Sequence, residues 1–164
     1  MGDKHELTHI NKQGRAKMVN VGEKKVTARE AVAKGTIKMD PNTLELIKAG
    51  GMKKGDVLAV AQVAGIMGAK KTCDIIPMCH PIQITGVDID FEFDEENSSV
   101  KILATTRTMD RTGIEMEALT AVAIAALTIY DMCKAIDRGM EISDIKLMRK
   151  SGGRSGTFVR TDGL

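Results

Sequence analysis

The sequence predicts an α+β fold, a sandwich in which helices pack on one face of an antiparallel sheet. Three observations carry that expectation. In residues 86–94, GVDIDFEFD, the apolar side chains of Val87, Ile89, Phe91 and Phe93 alternate with Asp88, Asp90, Glu92 and Asp94. A period of two, with one apolar and one acidic face, marks a half-buried antiparallel strand. The polar turn ENSS and the run VKILA after it read as the returning strand of a hairpin. Then comes a long apolar segment, residues 114–138, with helix signals at both ends, followed by a further strand pattern, ISDIKLM. Strand pair, long helix and returning strand are the ingredients of such a sandwich.

The remaining elements follow from local chemistry. The segment to about Arg15 is polar and is expected as a loosely ordered tail, as are residues 157–164. Residues 26–39, VTAREAVAKGTIKM, fit either a helix or a strand with a turn at Gly35. A short helix follows: Asp40 can cap it, Pro41 suits its first turn, and Gly50–Gly51 ends it. A second helix starts at Asp56 and runs through VLAVAQVAGIMGAKKT. It is apolar nearly all round, which predicts burial on more than one side. Gly65 and Gly68 would weaken it relative to Ala unless close packing needs them. In the long helix, Thr112 and Glu115 fit a capping box and Gly139 fits the stop. Among α+β sandwiches, the ferredoxin-like arrangement suits this order best.

Composition excludes several classes. The 164 residues suffice for one domain, 1–164, burying about two thirds of its unfolded surface. Hydrophobic residues make up 43%, ordinary for a globular chain and against extended disorder. No run of about 18 apolar residues is available to cross a membrane, and residues 1–20 lack the apolar stretch of a secretory signal. Cys73, Cys79 and Cys133 are odd in number and at no disulfide-like spacing, which suits a reducing compartment, so a cytoplasmic location is expected. Net charge is only +2 and aromatics are 2% with no Trp, so nucleic acid is not an expected partner. An anionic ligand must be held by local clusters of Lys and Arg.

Four clusters could carry chemistry. Ile76-Pro77-Met78-Cys79-His80-Pro81 sets a Cys-His pair between prolines, whose fixed φ can hold a polar side chain in one orientation. An ordinary Pro-punctuated loop with a buried Cys fits equally well. Cys73, Cys79, His80 and Cys133 lack the short paired spacings of a structural zinc site, so no metal centre is expected. Gly113-Ile114-Glu115-Met116-Glu117 opens the long helix with two carboxylates. Capping and the helix dipole account well for Glu115 and less well for Glu117.

Asp131 and Lys134 share one helix face within the largely apolar LTIYDMCKAI. A partly dry carboxylate–ammonium pair suits proton transfer, although spacing alone favours a solvated ion pair. Lys150-Ser151-Gly152-Gly153-Arg154-Ser155-Gly156 combines permissive backbone with positive charge, which suits an anion. It is not a Walker A loop, and a solvated tail fits its composition equally well. Lys53–Lys54 and Lys70–Lys71 add charge at helix ends, where lysines are usually solvated.

Together these strings resemble one family. LTHI, MVNVGEKKVTAREAVA, KKGDVLAVAQVAGIMGAKKT, IPMCHP, TGIEMEALTAVAIAALTIYDMCKA and KSGGRSG, in this order and spacing, are similar to the successive signatures of the cyclic pyranopterin monophosphate synthase (MoaC) family of molybdenum cofactor biosynthesis. The match runs from about Leu7 to Gly156. It implies a ferredoxin-like subunit in a homohexamer, a trimer of dimers with sites at the dimer interfaces. It also implies a lyase that takes a nucleotide-derived substrate, (8S)-3′,8-cyclo-7,8-dihydroguanosine 5′-triphosphate, to cyclic pyranopterin monophosphate and pyrophosphate (molybdopterin synthesis) without a redox step.

Position by position, Asp131 matches the family's catalytic aspartate and Lys134 its partner on the same helix. Met78, Cys79 and His80 match a substrate-contacting loop, and Met116 and Glu117 a second contact. Lys54, Lys70, Glu115, Lys150 and Arg29 fall on further pocket positions. The resemblance turns the Asp131–Lys134 pair from a bland ion pair into a catalytic one. Met78 stands where Leu is common, Arg154 where Lys is common, and Met109-Asp110-Arg111 where a Thr-Gly-Lys-like loop is usual. Arg for Lys keeps the charge but changes donor geometry.

The implied reaction opens an imidazole-derived ring, builds a pyran ring and closes a cyclic phosphate. His80, Asp131, Lys134 and Glu117 can move the protons this needs. Lys150, Lys70, Lys54 and Arg154 can meet the charge growing on departing pyrophosphate. No cofactor is expected; Mg²⁺ would come with the triphosphate, since no carboxylate cage is evident. The competing reading is a non-catalytic ferredoxin-like module that binds a nucleotide or RNA. Such modules carry aromatics for base stacking, whereas Phe91 and Phe93 share a side with Val87 and Ile89, as core residues would. Finally, Glu117 and Asp131 lie about 21 Å apart along one helix. That is too far for one reacting centre, so a pocket drawing on two subunits is expected.

Overall fold

Alternation decides the ambiguous segment at residues 26–39 in the computed structural model, which describes residues 9–51, 53 and 55–161. Thr27–Lys38 is one strand, β1, with Ala31, Ala33 and Ile37 fully buried on one side. Gly35 is no turn. It shares the buried side, where a Cβ would stand 2.6 Å from Val122 Cγ1 of the helix above.

After β1 come α1 (Pro41–Lys48), α2 (Val57–Lys70) and α3 (Thr72–Ile75). Next follow the hairpin β2 (Ile84–Asp94) and β3 (Ser99–Asp110), then α4 (Glu115–Cys133), β4 (Glu141–Ser151) and β5 (Phe158–Val159). The sheet runs β2-β3-β1-β4-β5 with every pair antiparallel. That strand order, with a helical crossover after β1 and another after β3, is ferredoxin-like, as the sequence predicts. The cap predicted at Asp40 forms, and Asp56, the expected first residue of the second helix, is its N-cap. The carboxylate of Asp40 accepts the Asn42 N–H at 2.9 Å, and that of Asp56 accepts the Ala59 N–H at 3.0 Å.

The core is made of small side chains. Ala31, Ala33 and Ala104 of the sheet and Ala118, Ala121, Ala125 and Ala126 of α4 are all fully buried. Such residues let the helix approach closely, so the core needs few aromatics. Phe91 and Phe93 pack against this core from β2. By length and composition α4 could cross a membrane, but here it lies on the sheet with half of its apolar window buried.

Three local expectations are corrected. Both ends of α4 differ from their signals, because distant partners outcompete local ones. Ile114 is the N-cap and no side chain caps it, so Thr112 and Glu115 form no capping box. Thr106 Oγ1 of β3 donates instead to Ile114 O at 3.2 Å, and Ile114 itself is buried. The helix stops at Cys133 rather than near residue 138. There the Asp137 carboxylate accepts N–H groups from Asp40 (2.8 Å) and Gly139 (2.9 Å), tying this end to the start of α1.

The third correction is α2, buried on one side only within this chain. Val57, Ala61, Gly65, Gly68 and Ala69 are buried, whereas Val60, Val63 and Met67 are exposed. The helix lies beside α4 over β2, with nothing on its outer flank among the described residues. Gly65 does serve close packing: a Cβ would stand 2.4 Å from Ile89 Cδ1 and 2.9 Å from Ala121 O. Parts of both expected tails are also held. Ile10 pairs with Ala16, and β5 pairs with Arg149–Lys150. Residues 1–8 and 162–164 lie outside the described residues.

Candidate active site

The loop after α3 meets the start of α4, and between them lies a cavity of about 320 Å³. Met78, Cys79 and His80 line it from the loop, and Glu115, Met116 and Glu117 from the helix. These six predicted site residues are therefore brought together. Glu117 is buried, and its Oε2 has no hydrogen-bond partner among the described residues. Burial pushes its carboxyl up to about 7; the charge of Glu115 adds to this and a backbone hydrogen bond opposes it. An acid that titrates near neutrality can both give and take a proton. Burial, then the charges of Glu117 and Cys73, also raises the Cys79 thiol. His80 Nε2 lies 2.7 Å from Val19 O. A carbonyl only accepts, so this nitrogen carries a proton.

A second cavity, of about 620 Å³, is lined by Asn20, Glu23, Lys24, Lys25, Thr27, Arg29, Gly153 and Arg154. Four cations against one carboxylate make it a place for an anion. Arg29 is held by the main chain: Nε donates to Asp110 O at 2.9 Å and Nη2 to Arg111 O at 3.0 Å. The altered segment Met109-Asp110-Arg111 therefore meets the site through carbonyls, which any residue supplies. The glycine loop contributes Gly153 and Arg154 to the same lining.

Other predicted site residues stand elsewhere. Asp131 and Lys134 form an ion pair at 2.6 Å at the far end of α4, with side chains 62% and 52% exposed. The partly dry setting expected for them is not present in this chain, because this end of α4 is uncovered. Lys70 is exposed at the end of α2 and lines neither cavity. Lys150 also lies outside both linings, its ammonium donating to Ser155 Oγ. Lys54 lies outside the described residues. Among those, no three His, Cys, Asp or Glu side chains are grouped to hold a metal ion.

Sequence reasoning missed His9, Val19 and Val21 in the first cavity, Asn20 and Lys25 in the second, and Lys24 in both. The paired lysines of GEKK carry a signal as local positive charge, and the strings LTHI and MVNVGEKKVTAREAVA, which hold all six residues, carry one as family signatures.

A ferredoxin-like sheet thus carries two cavities, one holding a buried acid and the other lined by four cations against one carboxylate. The MoaC family model matches residues 18–153, and the chain belongs to the MoaC family. It is similar to the cyclic pyranopterin monophosphate synthase of Clostridium acetobutylicum, 66% identical over 154 residues, which are 94% of this chain and 96% of the relative. The synthase of Thermoanaerobacter pseudethanolicus is 65% identical over 154 residues, with 94% and 98% covered. That of Peptoclostridium acidaminophilum is 62% identical over 155 residues, again with 94% and 98% covered.

Proposed function

We propose that the chain converts (8S)-3′,8-cyclo-7,8-dihydroguanosine 5′-triphosphate to cyclic pyranopterin monophosphate with release of pyrophosphate, as a lyase of molybdenum cofactor biosynthesis. The observation that carries this is the 66% identity to a named synthase across 94% of the chain. The two cavities agree with it. The substrate's ring system faces Glu117, Cys79 and His80, and its phosphates face Lys24, Lys25, Arg29 and Arg154. Glu117, titrating near neutrality, serves the proton transfers of ring opening and closure.

Asp131 and Lys134 act in the same pocket from a second subunit. Along one straight helix Glu117 and Asp131 are about 21 Å apart, and a two-fold partner brings the opposite helix end close. The assembly is a homohexamer, a trimer of dimers, working in the cytoplasm. Any Mg²⁺ enters with the triphosphate rather than through a protein cage. The rival reading as an RNA-binding module is not favoured, because Phe91 and Phe93 pack on the core. Incubating purified protein with the substrate, and following pyrophosphate release and product mass, tests the proposal. Unconsumed substrate would refute it.

A further inference from the structure

The turn at residues 19–24 is the partition between the two cavities. Val19 and Val21 line the cavity of Glu117, Asn20 lines the basic one, and among the described residues Lys24 alone is common to both linings. Three hydrogen bonds brace this partition. Asn20 Oδ1 accepts the Gly22 N–H at 2.8 Å, Lys24 N–H donates to Val21 O at 3.0 Å, and His80 Nε2 binds Val19 O at 2.7 Å. The first two are local and shape the turn; the third pins it to the Pro-flanked loop. The main chain of Lys24 is thereby held at the boundary, and its exposed side chain is within the linings of both cavities.

Resting on the function proposed above, we infer that Lys24 meets the charge developing on the leaving pyrophosphate. A substrate with its rings beside Glu117 and its β- and γ-phosphates beside Lys25, Arg29 and Arg154 must pass its α-phosphate through the junction at Lys24. In the closing step a sugar-derived hydroxyl attacks the α-phosphorus and gives its proton to a base or to water. The new O–P bond forms as the bond from the α-phosphorus to the α–β bridging oxygen breaks, and pyrophosphate leaves with the electron pair. No oxidant or reductant enters. Charge therefore grows on the bridging oxygen, at the boundary. The cations that line only the basic cavity hold the outer phosphates in ground and transition states alike, whereas Lys24 gains interaction as the bond breaks.

Lys24→Ala, Lys24→Arg and Lys25→Ala are compared in steady-state pyrophosphate release. Lys24→Ala is expected to lower kcat about a hundredfold with little change in KM. Lys24→Arg should recover part of the loss, and Lys25→Ala should raise KM with kcat nearly unchanged. Lys24→Ala acting only on KM, as Lys25→Ala does, would overturn the inference. A binding measurement independent of turnover separates it from the proposed function. Lys24→Ala should weaken tripolyphosphate more than pyrophosphate in calorimetry, while Lys25→Ala weakens both alike. Equal losses for the two anions in Lys24→Ala would remove Lys24 from the junction even if the parent protein turns over the substrate.

Discussion

The carbonyl oxygen of Ala28 occupies the space that a side chain on Gly152 would need: a Cβ there would stand 2.2 Å from it. Gly152 also has φ +92°, a conformation open to glycine and costly for other residues. Gly153 meets Arg29 in the same way, at 2.3 Å from Nη1. Arg29 cannot easily yield, because the carbonyls of Asp110 and Arg111 hold it. Gly152→Ala is therefore expected to cost about 1–3 kcal/mol and to weaken pyrophosphate binding by displacing the Arg154 wall. Thermal melts and calorimetry check both effects. A parental Tm with parental affinity would contradict this packing.

Glu117 makes stability depend on pH in a particular direction. Its carboxyl titrates near about 7 in the fold against an ordinary 4.5. Between those values the folded chain keeps a proton that the unfolded chain has lost. Stability therefore falls as pH rises through this window, by about 3 kcal/mol in all, and levels off above it. Glu117→Gln removes the titration. Its Tm relative to the parent should rise from about pH 4.5 to about 7 and then stay constant. A Tm difference independent of pH would show that Glu117 is not held protonated.

In a single chain the Asp131–Lys134 pair is exposed, so it should matter little to the folding of that chain. Asp131→Asn is expected to change stability by about 1 kcal/mol or less while lowering turnover about a hundredfold or more. Circular dichroism melts and pyrophosphate release read the two effects separately. Near-parental turnover would take Asp131 out of the catalytic set.

Sharing of the pocket between subunits has its own test. Asp131→Asn and Glu117→Ala, each inactive, are mixed under conditions that exchange subunits. With random exchange and two independent sites per dimer, up to about a quarter of parental activity should return, through sites free of both changes. No recovery, with mixed dimers confirmed by mass spectrometry, would mean that one chain supplies both residues to one site.

The features readable from the string alone lie within short reach along the chain. The β2–β3 hairpin is legible from alternation, the cap at Asp40 from a side chain that bonds two residues ahead, and the start of α2 from Asp56. The first cavity was legible for a similar reason, since each of its walls is a short string: Met78-Cys79-His80 and Glu115-Met116-Glu117. Tertiary structure decided the rest. Thr27–Lys38 is a strand because β3 and β4 pair with it on both sides, and Gly35 serves the helix above it rather than a turn. The ends of α4 are set by Thr106 and Asp137, whose partners lie outside the helix. The basic cavity forms only where Lys24 and Arg29 near β1 meet Arg154 beyond β4. Backbone preference and capping act over a few residues and can be read in a string. Burial and the gathering of like charges depend on which distant segments the packed core brings together.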